Sequence, residues 1–139
     1  MDFENKYFKL SINKRKNLNW KYLEKIKDID NIIDIGAHNG TPQLVFNFPE
    51  ADYYYFEPLK ECNNELVKFS KKNNLKNYKI FNIALSDKVG ESSFNNVKLC
   101  NHSSSLNDLT NEYKHQKKQF TIEKIKVQLD ILSNFKNKV

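Results

Sequence analysis

Cysteine is scarce in this chain of 139 residues: Cys62 and Cys100 are its only two, and no C-x-x-C spacing occurs. That excludes a disulfide framework and a cysteine-built metal centre, and no metal site is expected. With no secretory leader pattern at the start, a reducing cytoplasm is the expected setting. Long apolar runs are also missing, so no segment has the character of a bilayer-crossing helix and no membrane partner is expected. Glycine is limited to Gly36, Gly40 and Gly90, which cannot supply the G-x-G-x-x-G of a dinucleotide turn. Net charge is +6 and the pI about 9.2, yet the lysines are scattered in short doublets such as Lys71-Lys72 and Lys117-Lys118. No basic helical face results, so nucleic acid is not an expected partner. No internal repeat or low-complexity linker divides the chain.

What is present is the material of a packed core, with 39% hydrophobic and 13% aromatic residues, which argues against disorder. Residues 1–17 read as a polar arm with Tyr7, Phe8 and Leu10 as its apolar content, and residues 18–139 as the domain proper. Leu18, Tyr22, Leu23, Ile26 and Ile29 recur at helical spacing and predict a helix packing its stripe on a sheet. A first strand of isoleucines follows, then Thr41 as a helix cap with Pro42 at the first helical position and Pro49 as the stop. Residues 53–56 predict a second strand, and Leu59, Cys62, Leu66 and Phe69 form the apolar face of the helix after it. Residues 78–85 read as a third strand, apolar enough to be covered on both faces. Val89-Gly90 signals a turn, residues 91–94 and 97–99 suggest a hairpin across Asn95-Asn96, and residues 100–118 read as a loop. Ile125, Val127 and Leu129 alternate, while Phe120 and Ile122 have the other parity, so a bulge is expected near Glu123 or Lys124. Asp130 should cap a final helix that buries Ile131, Leu132 and Phe135. Strand and helix alternate, which is the pattern of an α/β fold.

The chemistry concentrates in Ile32-Ile33-Asp34-Ile35-Gly36-Ala37-His38-Asn39-Gly40 and in Tyr53-Tyr54-Tyr55-Phe56-Glu57-Pro58. An apolar strand, a glycine turn, and an acid at the end of the next strand, roughly 20 residues on, make the nucleotide-gripping half of an α/β domain. His38 occupies the position where a dinucleotide turn needs its second glycine, and Thr41 the last. An imidazole there crowds a pyrophosphate, whereas a ligand with only a small carboxylate can sit over the turn N–H groups; S-adenosylmethionine is such a ligand. Glu57 is then a ribose-binding carboxylate, or else a solvent-facing turn residue. Asp34 either meets a ligand ammonium or caps the loop. Gly36 and Gly40, flanking Ala37, combine backbone freedom with close ligand approach, and His38 fills a gap beside the adenosine or serves as a base. Ile83 and Ala84 form a wall against adenine, or plain core.

Five blocks carry a resemblance: Asp34-Ile35-Gly36-Ala37-His38-Asn39-Gly40, Phe56-Glu57-Pro58, the run Asn82-Ile83-Ala84-Leu85-Ser86-Asp87-Lys88-Val89-Gly90-Glu91, Ser103-Ser104-Ser105-Leu106, and Val127-Gln128-Leu129-Asp130. In content and order they resemble blocks of the FkbM-type methyltransferases, over roughly residues 30–132. The resemblance implies a Rossmann-like class I methyltransferase sheet with flanking helices, S-adenosyl-L-methionine as cofactor, and O-methylation of a hydroxyl on a small-molecule or glycan acceptor. Cofactor-binding roles would fall on Asp34, Gly36, Ala37, His38, Gly40, Glu57, Ile83 and Ala84. No base is assigned: His102, Ser103, Ser104, Ser105, Asp108 and Asp130 are polar loop groups that could face an acceptor, but such loops are usually just solvated, and the family's following Asp-Val-Glu-Gly segment is absent.

Two departures stand out. His38 replaces the family's usual Asn, and the chain stops at Val139, before the Ile-Lys-Ile-Asp-Val-Glu-Gly type of strand that follows in the family. An incomplete domain is therefore expected, with one edge of the Ile32-Ile33-Ile35 strand bare and open to self-association unless residues 120–129 fold back over it. The alternative is a catalytically inactive α/β remnant acting as a cofactor-binding or interaction module.

Overall fold

The computed structural model describes residues 19–97, Ser104, Leu106 and residues 121–139. Expectations for residues 1–18, for Phe120 and for most of the loop at 100–118 lie outside the described residues. The fold is mixed α/β with two small sheets. β1 (Asn31–Ile35), β2 (Asp52–Phe56) and β3 (Tyr78–Phe81) form a parallel sheet in that order. α1 (Pro42–Asn47) connects the first two, and α2 (Lys60–Lys72) the second pair. The second sheet holds β4 (Ala84–Leu85), β5 (Gly90–Val97) and β6 (Ile122–Asp130), with β6 central, parallel to β4 and antiparallel to β5.

β2 carries the parallel sheet. Its Tyr-Tyr-Tyr-Phe run is buried throughout, as an interior parallel strand must be, and alternate residues feed two cores. Tyr53 and Tyr55 join Ile32, Val45, Leu66 and Leu75 on one face, while Tyr54 and Phe56 meet Phe135 on the other. Phe56, Phe81 and Phe135 form an aromatic triad with centroids 4.8–5.0 Å apart. A third cluster, Leu59, Cys62, Ala84, Phe94, Val127 and Leu129, fastens the start of α2 to the second sheet. Among the described residues no helix is long and apolar enough to cross a membrane.

Several local expectations are corrected. The N-terminal helix is a 3-10 helix, Asn19–Lys25, with Leu23 buried but Tyr22 and Ile26 exposed. The helix ends at Lys25, and Asp28 beyond it turns left-handed (φ 58), so Ile29 does not extend its stripe. The third strand breaks after Phe81, where Asn82 donates to the carbonyls of Glu57 (3.0 Å) and Pro58 (2.7 Å). Ala84 and Leu85 then pair with Leu129 and Asp130 in the other sheet. No hairpin turns at Asn95-Asn96, because β5 runs straight through both and pairs with the remote β6. The expected bulge is absent as well, and the register holds without a slip from Gly90 opposite Leu129 to Val97 opposite Ile122. Both faces are buried at one end of β5, where Phe94, Asn95, Asn96 and Val97 are all covered. The final helix shrinks to a 3-10 turn, Leu132–Phe135, that buries Phe135 and leaves Leu132 exposed. Asp130 accepts from the Ile131 N–H and the Asn134 amide at 2.8 and 2.7 Å.

Because residues 122–130 pair with β4 and β5, they do not cover β1. Its outer edge has no strand partner among the described residues. Ile33 and Ile35, in register with Tyr54 and Phe56 and so on the face of the aromatic triad, are 39% and 58% exposed.

Candidate functional site

At the carboxyl ends of β1 and β2, where the two sheets meet, lies an open pocket of about 380 Å³. The turn after β1 contributes Gly36 and His38, the segment after β2 contributes Glu57, Pro58 and Leu59, and Ile83, Ala84 and Phe94 come from the other side, joined by Ser104 and Leu106. The end of a parallel strand followed by a loop is where ligands bind in open α/β sheets.

Glu57 is the most constrained group there. It is 4% exposed, and its carboxylate accepts the His38 N–H at 2.9 Å on one oxygen and the Leu59 N–H at 2.8 Å on the other. It is therefore not a solvent-facing turn residue. Each oxygen keeps a further lone pair for a ligand. Burial pushes its pKa above the usual carboxylate value; the two backbone N–H groups act against that, and the charges of Asp34 and Glu61 add to the rise.

The turn itself behaves differently from expectation. The Gly36 and Ala37 N–H groups donate to the Phe56 carbonyl at 2.8 and 3.4 Å, Gly40 donates to the Ala37 carbonyl at 2.7 Å, and His38 to Glu57. These four amides hold the turn and leave little for a ligand carboxylate or phosphate. Thr41 sits at the N-cap of α1 with Pro42 just inside, but its hydroxyl makes no cap bond. It donates instead to Asp34 Oδ2 at 2.8 Å. Asp34 also has its pKa raised, by burial first, with the Thr41 bond opposing.

Of the eight candidate residues the pocket brings together Gly36, His38, Glu57, Ile83 and Ala84. Asp34 lies behind the turn, Ala37 is buried in the core with Ile32 and Val45, and Gly40 packs against Phe69. A Cβ on Gly40, at φ +95, would lie 2.4 Å from the Phe69 ring, whereas one on Gly36, at φ +67, would meet nothing within 4 Å. Gly40 thus serves packing rather than ligand approach, and Gly36 keeps the pocket floor open. Phe94 in the lining has no signal in the sequence, since only the remote β5–β6 pairing carries it over the turn, and Ser104, one of several polar loop groups read as able to face an acceptor, lies in the lining with Leu106. Among the described residues no cluster of His, Cys, Asp or Glu could hold a metal ion. Among the described residues no ion pair involves the buried Glu57 or the half-buried Asp34 behind the turn.

A pH dependence follows. An acid whose pKa is raised by folding binds its proton more readily in the native state, so native stability falls as pH rises through the range above the ordinary carboxylate values of about 4. Thermal unfolding of Asp34→Asn, which keeps an oxygen for Thr41 but carries no charge, should show a smaller loss of midpoint between about pH 4 and pH 7 than the parent chain. Parallel curves would remove Asp34 as a source of the dependence.

The chain matches no family model, no curated protein and no solved structure.

Proposed function

We propose that the pocket holds S-adenosylmethionine and that the chain is a methyltransferase of FkbM type, acting in the cytoplasm on a hydroxyl of a small molecule or glycan. β1, β2 and β3 would be one half of a Rossmann-like class I sheet. The observation that supports this best is the buried, doubly amide-anchored carboxylate of Glu57 at the end of β2, facing the pocket beside the glycine turn. A carboxylate so placed accepts from both hydroxyls of a ribose. The charge balance favours a cationic nucleoside over a dinucleotide: a pyrophosphate would face the buried carboxylate of Glu57 and a turn whose amides are already engaged, while a sulfonium is attracted.

Bound S-adenosylmethionine supplies an electrophilic methyl group, transferred in line without a covalent enzyme intermediate. The chain's part is positioning. Glu57 fixes the ribose, Ile83 and Ala84 lie along the adenine, and His38 packs beside the adenosine. Isothermal calorimetry with S-adenosylhomocysteine and with NAD tests the assignment: binding of the first and not the second is expected, and tight NAD binding with no response to S-adenosylhomocysteine would overturn it.

One observation favours a second reading, an inactive cofactor-binding or interaction module. Ile35 is both exposed at the unpaired edge of β1 and part of the pocket lining, so the acceptor side is open. On this account the 139-residue chain transfers little or no labelled methyl group and self-associates through the strand edge. Ile35→Lys, a charge of the kind that protects edge strands, should shift sedimentation toward monomer. Robust turnover by a monodisperse monomer would overturn this second reading.

A further inference from the structure

On the apolar side of the pocket, Leu106 packs against the cluster that contains Ala84 and Phe94, and Ser104 lies beside them in the lining. With a ribose held at Glu57, the flat base of a nucleoside falls to this opposite wall. Ser104 is its polar member, and its hydrogen bonding is directional. The hydroxyl oxygen accepts the Val97 N–H at 3.0 Å, and its proton is donated to Asn96 Oδ1 at 3.4 Å. Asn96 is 1% exposed, and its amide nitrogen donates to Glu61 Oε1 at 3.1 Å. That bond fixes which way the amide points: a flip would set the Asn96 oxygen against the Glu61 carboxylate and its NH2 group against the Ser104 proton. A hydroxyl has one proton and two lone pairs. With the proton committed to Asn96 and one lone pair to Val97, what Ser104 retains for the pocket is an acceptor.

Building on the nucleoside reading of the pocket, we propose that Ser104 is a specificity-determining acceptor for the exocyclic amino group of adenine, selecting adenosyl ligands over those with a carbonyl at that position. Hypoxanthine places an oxygen where adenine has its amino group, so two acceptors would oppose each other and one lone pair would be buried without a donor. Glu61 and Asn96 act through Ser104 and need not touch the ligand.

The test is calorimetry of the full chain with S-adenosylhomocysteine and S-inosylhomocysteine, on the parent and on Ser104→Ala and Ser104→Thr, with circular dichroism to follow folding. The parent should bind the adenosyl form about tenfold more tightly, the scale of one buried hydrogen bond. Ser104→Ala should bind both alike, and Ser104→Thr, which keeps the hydroxyl, should retain the preference. Equal binding of both ligands to the parent, or an undiminished preference in Ser104→Ala, overturns the role of Ser104 while leaving the nucleoside site standing. Binding of neither ligand to the parent overturns both. Should Ser104→Ala fail to fold, the ratios of the parent and Ser104→Thr decide, and a ratio near one in either overturns the proposal.

Discussion

Glu57→Gln is expected to weaken binding of S-adenosylhomocysteine by about 1–3 kcal/mol, a factor of about 5 to about 150, the scale for hydrogen bonds to a charged acceptor. Read as a strand-end acid, Glu57 looks dispensable for folding. The structure changes that expectation, because its two oxygens accept the His38 and Leu59 N–H groups and an amide offers only one acceptor oxygen. One of the two N–H groups would face an NH2 group. The loss is offset in part because the variant no longer buries a charge, whose cost is visible in the raised pKa of Glu57, and a net destabilisation of about 1 kcal/mol is expected. Calorimetry and urea unfolding read the two effects separately. Unchanged affinity would reduce Glu57 to a loop brace.

Gly40→Ala should cost about 2–5 kcal/mol of stability. Of this about 1–2 kcal/mol is the strain of a side chain in a left-handed conformation, and about 1–3 kcal/mol is overpacking against Phe69. The second part is indicated by the 2.4 Å approach of a Cβ to the Phe69 ring. Gly36→Ala is the internal control: it has a positive φ but open space around its Cβ, so only the strain of about 1–2 kcal/mol applies. Its effect should appear instead in ligand affinity, since Gly36 lines the pocket. Chemical denaturation of the two variants, with Phe69→Leu added to Gly40→Ala to relieve the contact, measures the difference. Equal stability of Gly36→Ala and Gly40→Ala would mean that the Phe69 ring yields without cost.

The two glycines illustrate what was legible in the chain and what was not. That both needed unusual backbone angles could be read from the turn; that Gly40 answers to Phe69 on α2 could not, because the contact joins segments far apart in sequence. β1, β2 and α2 were readable for a local reason, since isoleucine and tyrosine runs and an amphipathic stripe declare their own burial. The third strand was misjudged because the break at Asn82 depends on carbonyls of Glu57 and Pro58. Asn95-Asn96 resembled a turn locally, but pairing with β6 kept them in a strand. In the candidate site, Glu57 was found by its spacing from the glycine turn. Phe94 reaches the pocket only through the second sheet, which no local pattern announces.

A crystal structure of the chain with S-adenosylhomocysteine would decide whether Glu57 holds a ribose. The ligand is expected between the Gly36 turn and the Ala84–Phe94 wall, with both ribose hydroxyls within about 3 Å of the Glu57 carboxylate oxygens. A ligand bound elsewhere, or one in the pocket whose ribose does not touch Glu57, would contradict it.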